Sequence, residues 1–151
     1  MMGAFTRGAG LAVAGFVLAA ALGGCSIGGP TGQDRADELA SQLKNSGLGV
    51  RSAKAIFQSS FSGGLSVTVV LSSDMVQPAY TVTAETLGSV LGIVSRSAEE
   101  MNVGGVVSYA EDEEGTDVSM VRATEDLGIA EALDGSALLL TPERLEMLAR
   151  Q

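Results

Sequence analysis

The chain has 151 residues, room for one ordinary domain, with nine basic and eighteen acidic residues, one cysteine, and no histidine or tryptophan. An acidic balance without any basic run repels phosphate backbones and argues against nucleic acid as a partner. The missing histidine removes the usual general base near neutral pH and the commonest metal ligand, and a lone cysteine cannot close a disulfide within the chain.

The amino-terminal stretch differs from the rest. MMGAFTRGAG (1–10) carries one positive charge, Arg7, and LAVAGFVLAAAL (11–22) is an unbroken apolar run of twelve. A membrane-spanning helix needs about 20 residues, so this run has instead the length of the apolar region of a signal peptide. Leu22, Gly23, Gly24 and Cys25 follow at once. That order resembles the lipobox of bacterial lipoproteins. The resemblance implies that the Cys25 thiol receives a diacylglyceryl group and that a dedicated peptidase, recognising Leu22, Gly23 and Gly24, cuts before it. Two acyl chains anchor stably where one anchors only marginally. The expected place is therefore the extracytoplasmic face of the cell membrane, with lipid on Cys25 as the link. The competing readings are a standard secretory peptide followed by a buried thiol, and an uncleaved anchor. Without residues 1–24, eight basic residues face eighteen acidic ones, a formal charge of −10. Such a surface is pushed away from anionic headgroups, so attachment must come from something other than charge.

Residues 25–33, the cysteine and SIGGPTGQ, read as a lipidated residue and a flexible tether, and 34–151 as a single domain. DRADELASQLKNS (34–46) spaces Ala36, Leu39, Ala40 and Leu43 as a helix, with Asp34 as cap and Gly47 as stop. A strand-like run over 50–60, a turn at Ser62-Gly63-Gly64 and the β-branched LSVTVVLS (65–72) predict a hairpin. Residues 83–101 put Leu87, Val90, Leu91, Val94, Ala98 and Met101 on one helical stripe, with Thr83 as cap. VGGVVSYA (103–110) and DVSMVRA (117–123) then read as two more strands around an acidic turn. The order predicts an α+β fold of two αββ units, Val50–Leu71 matching Val103–Val121, with a mainly antiparallel sheet and helices on one face. The tail adds a helical stretch at Leu127–Leu133, an apolar run at Ala137–Leu140 as a candidate fifth strand, and a last helix from Thr141-Pro142-Glu143. The layout resembles small, uncharacterised actinobacterial lipoproteins with two such units behind a lipobox. That likeness implies no activity and brings no functional residues.

Candidate sites are few, and each has a structural explanation. Glu111 to Asp117 could supply oxygen ligands to a hard cation, but the spacing is not that of an EF-hand, and a solvated turn around Gly115 explains it. Ser41-Gln42-Leu43-Lys44 matches the S-x-x-K of penicillin-recognising enzymes without their other motifs. Gly88 and Gly92 predict a close approach on the second helix, and Glu99 and Glu100 diverge as helix neighbours. The chain therefore reads as a membrane-tethered, non-catalytic binding module that needs no cofactor or metal. Its partner would be an envelope protein or polymer. The alternative is a small hydrolase of envelope polymers working with carboxylates alone. A pocket holding carboxylates from distant segments favours the hydrolase, and a flat apolar patch favours the module.

Overall fold

The computed structural model describes residues 31–61 and 63–151. The fold is α+β. Its elements are α1 (Gly32–Lys44), β1 (Val50–Gln58), β2 (Gly64–Leu71), α2 (Ala84–Met101), β3 (Val106–Glu111), α3 (Val121–Asp126), β4 (Leu133–Asp134), β5 (Ala137–Leu140) and α4 (Pro142–Ala149). The strands form one sheet in the order β1-β2-β3-β5-β4. β2 and β3 run parallel, joined through α2, and the other three pairings are antiparallel.

The first helix starts two residues before the expected position, so the end of the supposed tether belongs to the domain. The Thr31 hydroxyl accepts from the Asp34 backbone N–H, and the Asp34 carboxylate accepts from the Thr31 backbone N–H at 2.7 Å. Asp34 is thus the third helical residue of a capping box and not the cap itself. Gly47, at φ +74°, lies two residues beyond the C-cap Asn45. The Thr83 cap and the buried stripe Leu87, Val90, Leu91, Val94 and Ala98 of α2 follow the sequence pattern. Pro142 opens α4, which buries Leu145 and Leu148 and leaves Met147 exposed.

Ser62 of the expected turn lies outside the described residues, and Gly63 beside it has φ +64°. The second αββ unit lacks its returning strand. Asp117–Met120 makes only single bridges, Glu111 to Asp117 and Thr81 to Ser119, and Val121 already begins α3. The place beside Val106, Val107 and Ser108 is taken by Leu140, Leu139 and Leu138 of β5. Burying Leu138 and Leu140 completely on the helix side yields more than the more polar 117–123 segment can offer there. Ala137–Leu140 is the strand that the tail predicted. The helical stretch expected at 127–133 instead lies earlier, as α3. Gly128, at φ +71°, ends that stretch, and only a short 3₁₀ turn at Ala130–Ala132 follows.

The core lies between one sheet face and the helices. Ala55, Leu65, Val67, Val69, Leu71, Val106 and Ala110 point from the strands into Ala36, Leu39 and Leu43 of α1 and the α2 stripe. α3 and α4 pack on α2, α1 packs on β1, and among the described residues no helix lies over the opposite sheet face.

Candidate functional site

Strict alternation in β2 and β3 leaves Ser66, Thr68, Val70, Val107, Tyr109 and Glu111 half-buried on the uncovered face. Register sets them in rows. Ile56, Ser66, Val107 and Leu139 lie side by side across four strands, and Lys54, Thr68 and Tyr109 form the next row. Ile56 and Leu139 remain 40% and 44% exposed, well above what a fully packed face leaves. Gly64 and Gly105 bring no side chains to this surface. Beside them a shallow hollow of about 380 Å³ is lined by Gln58, Ser66, Val107, Tyr109 and Leu139. It offers apolar area, one phenol, one aliphatic hydroxyl and an amide, the mix that protein and polymer recognition uses.

The outer edge of the sheet is closed by a side chain. The Gln33 carboxamide donates to the Ala55 carbonyl and accepts from the Phe57 N–H, both at 3.0 Å. One amide thereby does what a neighbouring strand would do along that part of β1. At the other edge β4 has only two residues. Gln33 carries no periodic or motif signal, and its partners lie 22 and 24 residues away, so the sequence did not reveal this role.

The remaining candidates resolve into local structure. In the acidic turn the Asp112 carboxylate accepts from the Glu114 and Thr116 N–H groups at 3.0 and 2.7 Å, with Gly115 at φ +80°. Glu113 reaches back to the Ser73 N–H and to Arg51. Among the described residues no group of three or more His, Cys, Asp or Glu is placed to hold a metal ion. Ser41 donates its hydroxyl to the Asp37 carbonyl one turn back. Gly88 admits Leu127, whose Cδ2 lies 3.2 Å from where a β-carbon would stand, so its close neighbour is the end of α3 and not the sheet. Gly92 meets only the Arg96 guanidinium. Leu22, Gly23, Gly24 and Cys25 lie outside the described residues.

One cavity does gather carboxylates from distant segments. Glu99 of α2 and Glu143 and Glu146 of α4 line a space of about 250 Å³ with Asn102 and Pro142. Glu143 is held below the ordinary carboxylate range by its own backbone N–H and by the Thr141 hydroxyl. Glu146 pairs with Arg150. Glycoside and related hydrolyses need one carboxyl kept protonated by its surroundings. Glu143, shifted in the opposite sense, matches the ionised member of such a pair and not the protonated one.

No helix among the described residues is long and apolar enough to cross a membrane. No protein-family model matches the chain, and no curated protein matches it by sequence.

Proposed function

We propose that this protein is a lipid-anchored, extracytoplasmic binding module, tethered through Cys25, whose uncovered sheet face receives an envelope protein or polymer. The observation that carries this reading is the row Ile56, Ser66, Val107 and Leu139, with Tyr109 beside it, on a face that no helix among the described residues covers. The face is the better docking surface than the edge, because Gln33 already occupies the edge bonds that an added strand needs. The anchor is supported by the order of Leu22, Gly23, Gly24 and Cys25 after an apolar run too short to span a bilayer.

The carboxylate cavity keeps a hydrolase as the second reading, since Glu99 and Glu143 reach it from segments more than forty residues apart. The lowered Glu143 suits the ionised carboxylate of such a pair and leaves the protonated partner unassigned.

Two measurements test the proposal. Radiolabelled palmitate is expected to enter the wild type and not Cys25→Ala. A photoreactive phenylalanine analogue at Tyr109, on living cells, is expected to capture a distinct envelope component. The same analogue at Met147, on the helical side, is expected to capture none. Equal capture from both positions refutes the face as the docking surface. Envelope-polymer cleavage lost in Glu99→Gln and Glu143→Gln moves the assignment to the hydrolase.

A further inference from the structure

The end of the domain where α1 begins has one large apolar side chain fully in solvent. Phe61 stands in the loop between β1 and β2 and is exposed over its entire surface, more than any other large apolar residue described. The sequence from Gln58 to Gly64 carries no charge in a chain whose acidic residues outnumber its basic ones two to one.

This loop lies next to the point at which the chain enters the domain. The Phe57 ring sits between them. A β-carbon on Gly32, in the first turn of α1, would stand 2.3 Å from Phe57 Cδ1. One on Gly63 would stand 3.8 Å from Cε2 and Cζ. The entry point and the Phe61 loop are therefore about one phenyl ring apart. The loop is fixed to the same end by the Gly104 N–H, which donates to the Gly63 carbonyl at 3.0 Å.

Covalent reach then decides which end meets the bilayer. Cys25 precedes Thr31 by six residues, which extend to at most about 20 Å. A domain of about 120 residues is roughly 35 Å across. An anchor on Cys25 cannot let the far end, with the Glu111–Asp117 turn, take the membrane-facing place in any relaxed arrangement. It holds the α1 start and the Phe61 loop against the lipid. Asp34, Glu100 and Glu143 lie toward this end and outnumber Arg35, which donates to the Glu100 carbonyl, so broad electrostatic contact with anionic headgroups is unfavourable. A single uncharged, aromatic tip is the kind of contact that this end can make.

We propose that Phe61 is a membrane-contacting wedge: it enters the boundary between headgroups and acyl chains and sets the orientation of the domain on the bilayer. The proposal rests on the lipid anchor at Cys25. In the orientation it describes, the strands stand away from the membrane and the uncovered sheet face looks sideways along it.

The absence of tryptophan makes the test direct. Phe61→Trp, and separately Tyr80→Trp at the far end, are made in the full lipidated protein. Each is reconstituted in phosphatidylcholine vesicles with and without brominated acyl chains. Trp at position 61 is expected to emit to the blue of Trp at position 80 and to be quenched by the brominated lipid, while position 80 is not. A protein that floats with the vesicles but shows water-like, unquenched emission at position 61 overturns the wedge and leaves the anchor standing. Equal quenching at both positions overturns the orientation. A protein that does not float overturns the anchor, and the wedge with it.

Discussion

Replacing Gln33 by Ala removes the amide that closes the β1 edge. Two hydrogen bonds are lost, to the Ala55 carbonyl and from the Phe57 N–H, together with the bond from Gln33 to Asp37 one turn along the helix. Each backbone contact contributes a net of about 1 kcal/mol, and the helix-surface pair about 0.3 kcal/mol. Alanine gives back a few tenths of a kcal/mol in helix propensity, and water can reach the freed edge groups. The net loss is about 1–2 kcal/mol, which for a domain of this size lowers the melting temperature by roughly 3–8 °C. A second effect separates this account from a generic loss of contact. An opened β1 offers unpaired N–H and C=O groups to another strand, so the variant is expected to associate as its concentration rises. Thermal unfolding and sedimentation across a concentration series read the two effects. A variant as stable as the wild type, and monomeric throughout, refutes the bridge as a structural device.

Two glycines are expected to respond with opposite sign. Gly92→Ala should stabilise by about 0.5–1 kcal/mol in chemical denaturation, because the new methyl meets only the Arg96 guanidinium at 3.6 Å. Gly49→Ala should destabilise by about 1–3 kcal/mol, because residue 49 has φ +73° and its β-carbon would stand 2.1 Å from Met75 Cγ. The Asp34 carboxyl is held below the ordinary carboxylate range by the Thr31 hydroxyl and then by the Thr31 backbone N–H. A depressed pKa stabilises the fold above the unfolded value and ceases to do so as pH falls through the folded one. Below about pH 4 the wild type should therefore lose stability more steeply than Asp34→Ala, as followed by unfolding at a series of acidic pH values.

The parts of the fold legible in sequence are those where one physical signal acts alone. LSVTVVLS is β-branched and alternating, and it is β2. The α2 stripe and the proline at the head of α4 each mark a helix by local rules. The 117–123 segment misled because its apolar residues do become buried, Val118 and Met120 almost completely, but without a ladder to join. Competition from Leu138–Leu140 for the edge of β3 is a long-range matter that no window of sequence contains. A six-residue helix such as α3 is likewise too short to show a period. The uncovered face was implicit in the alternation of β2 and β3. Its rows depend on the parallel pairing across α2, which the expected αββ repeat did not include.

The position of Gln33 has a mechanical meaning if Cys25 holds the chain. Any force on the domain, from a bound partner or from flow, returns to the membrane through Thr31 and the first turn of α1. There it meets the capping box of Thr31 and Asp34 and, between those two residues, the Gln33 amide clamped to Ala55 and Phe57. α1 and β1 run in opposite directions along each other, so a pull on the amino terminus slides the helix along the strand. Contacts loaded in that way share the load instead of yielding one at a time. The residues that finish the edge of the sheet are thus also the first to bear tension, and weakening them would loosen the domain where it is tied.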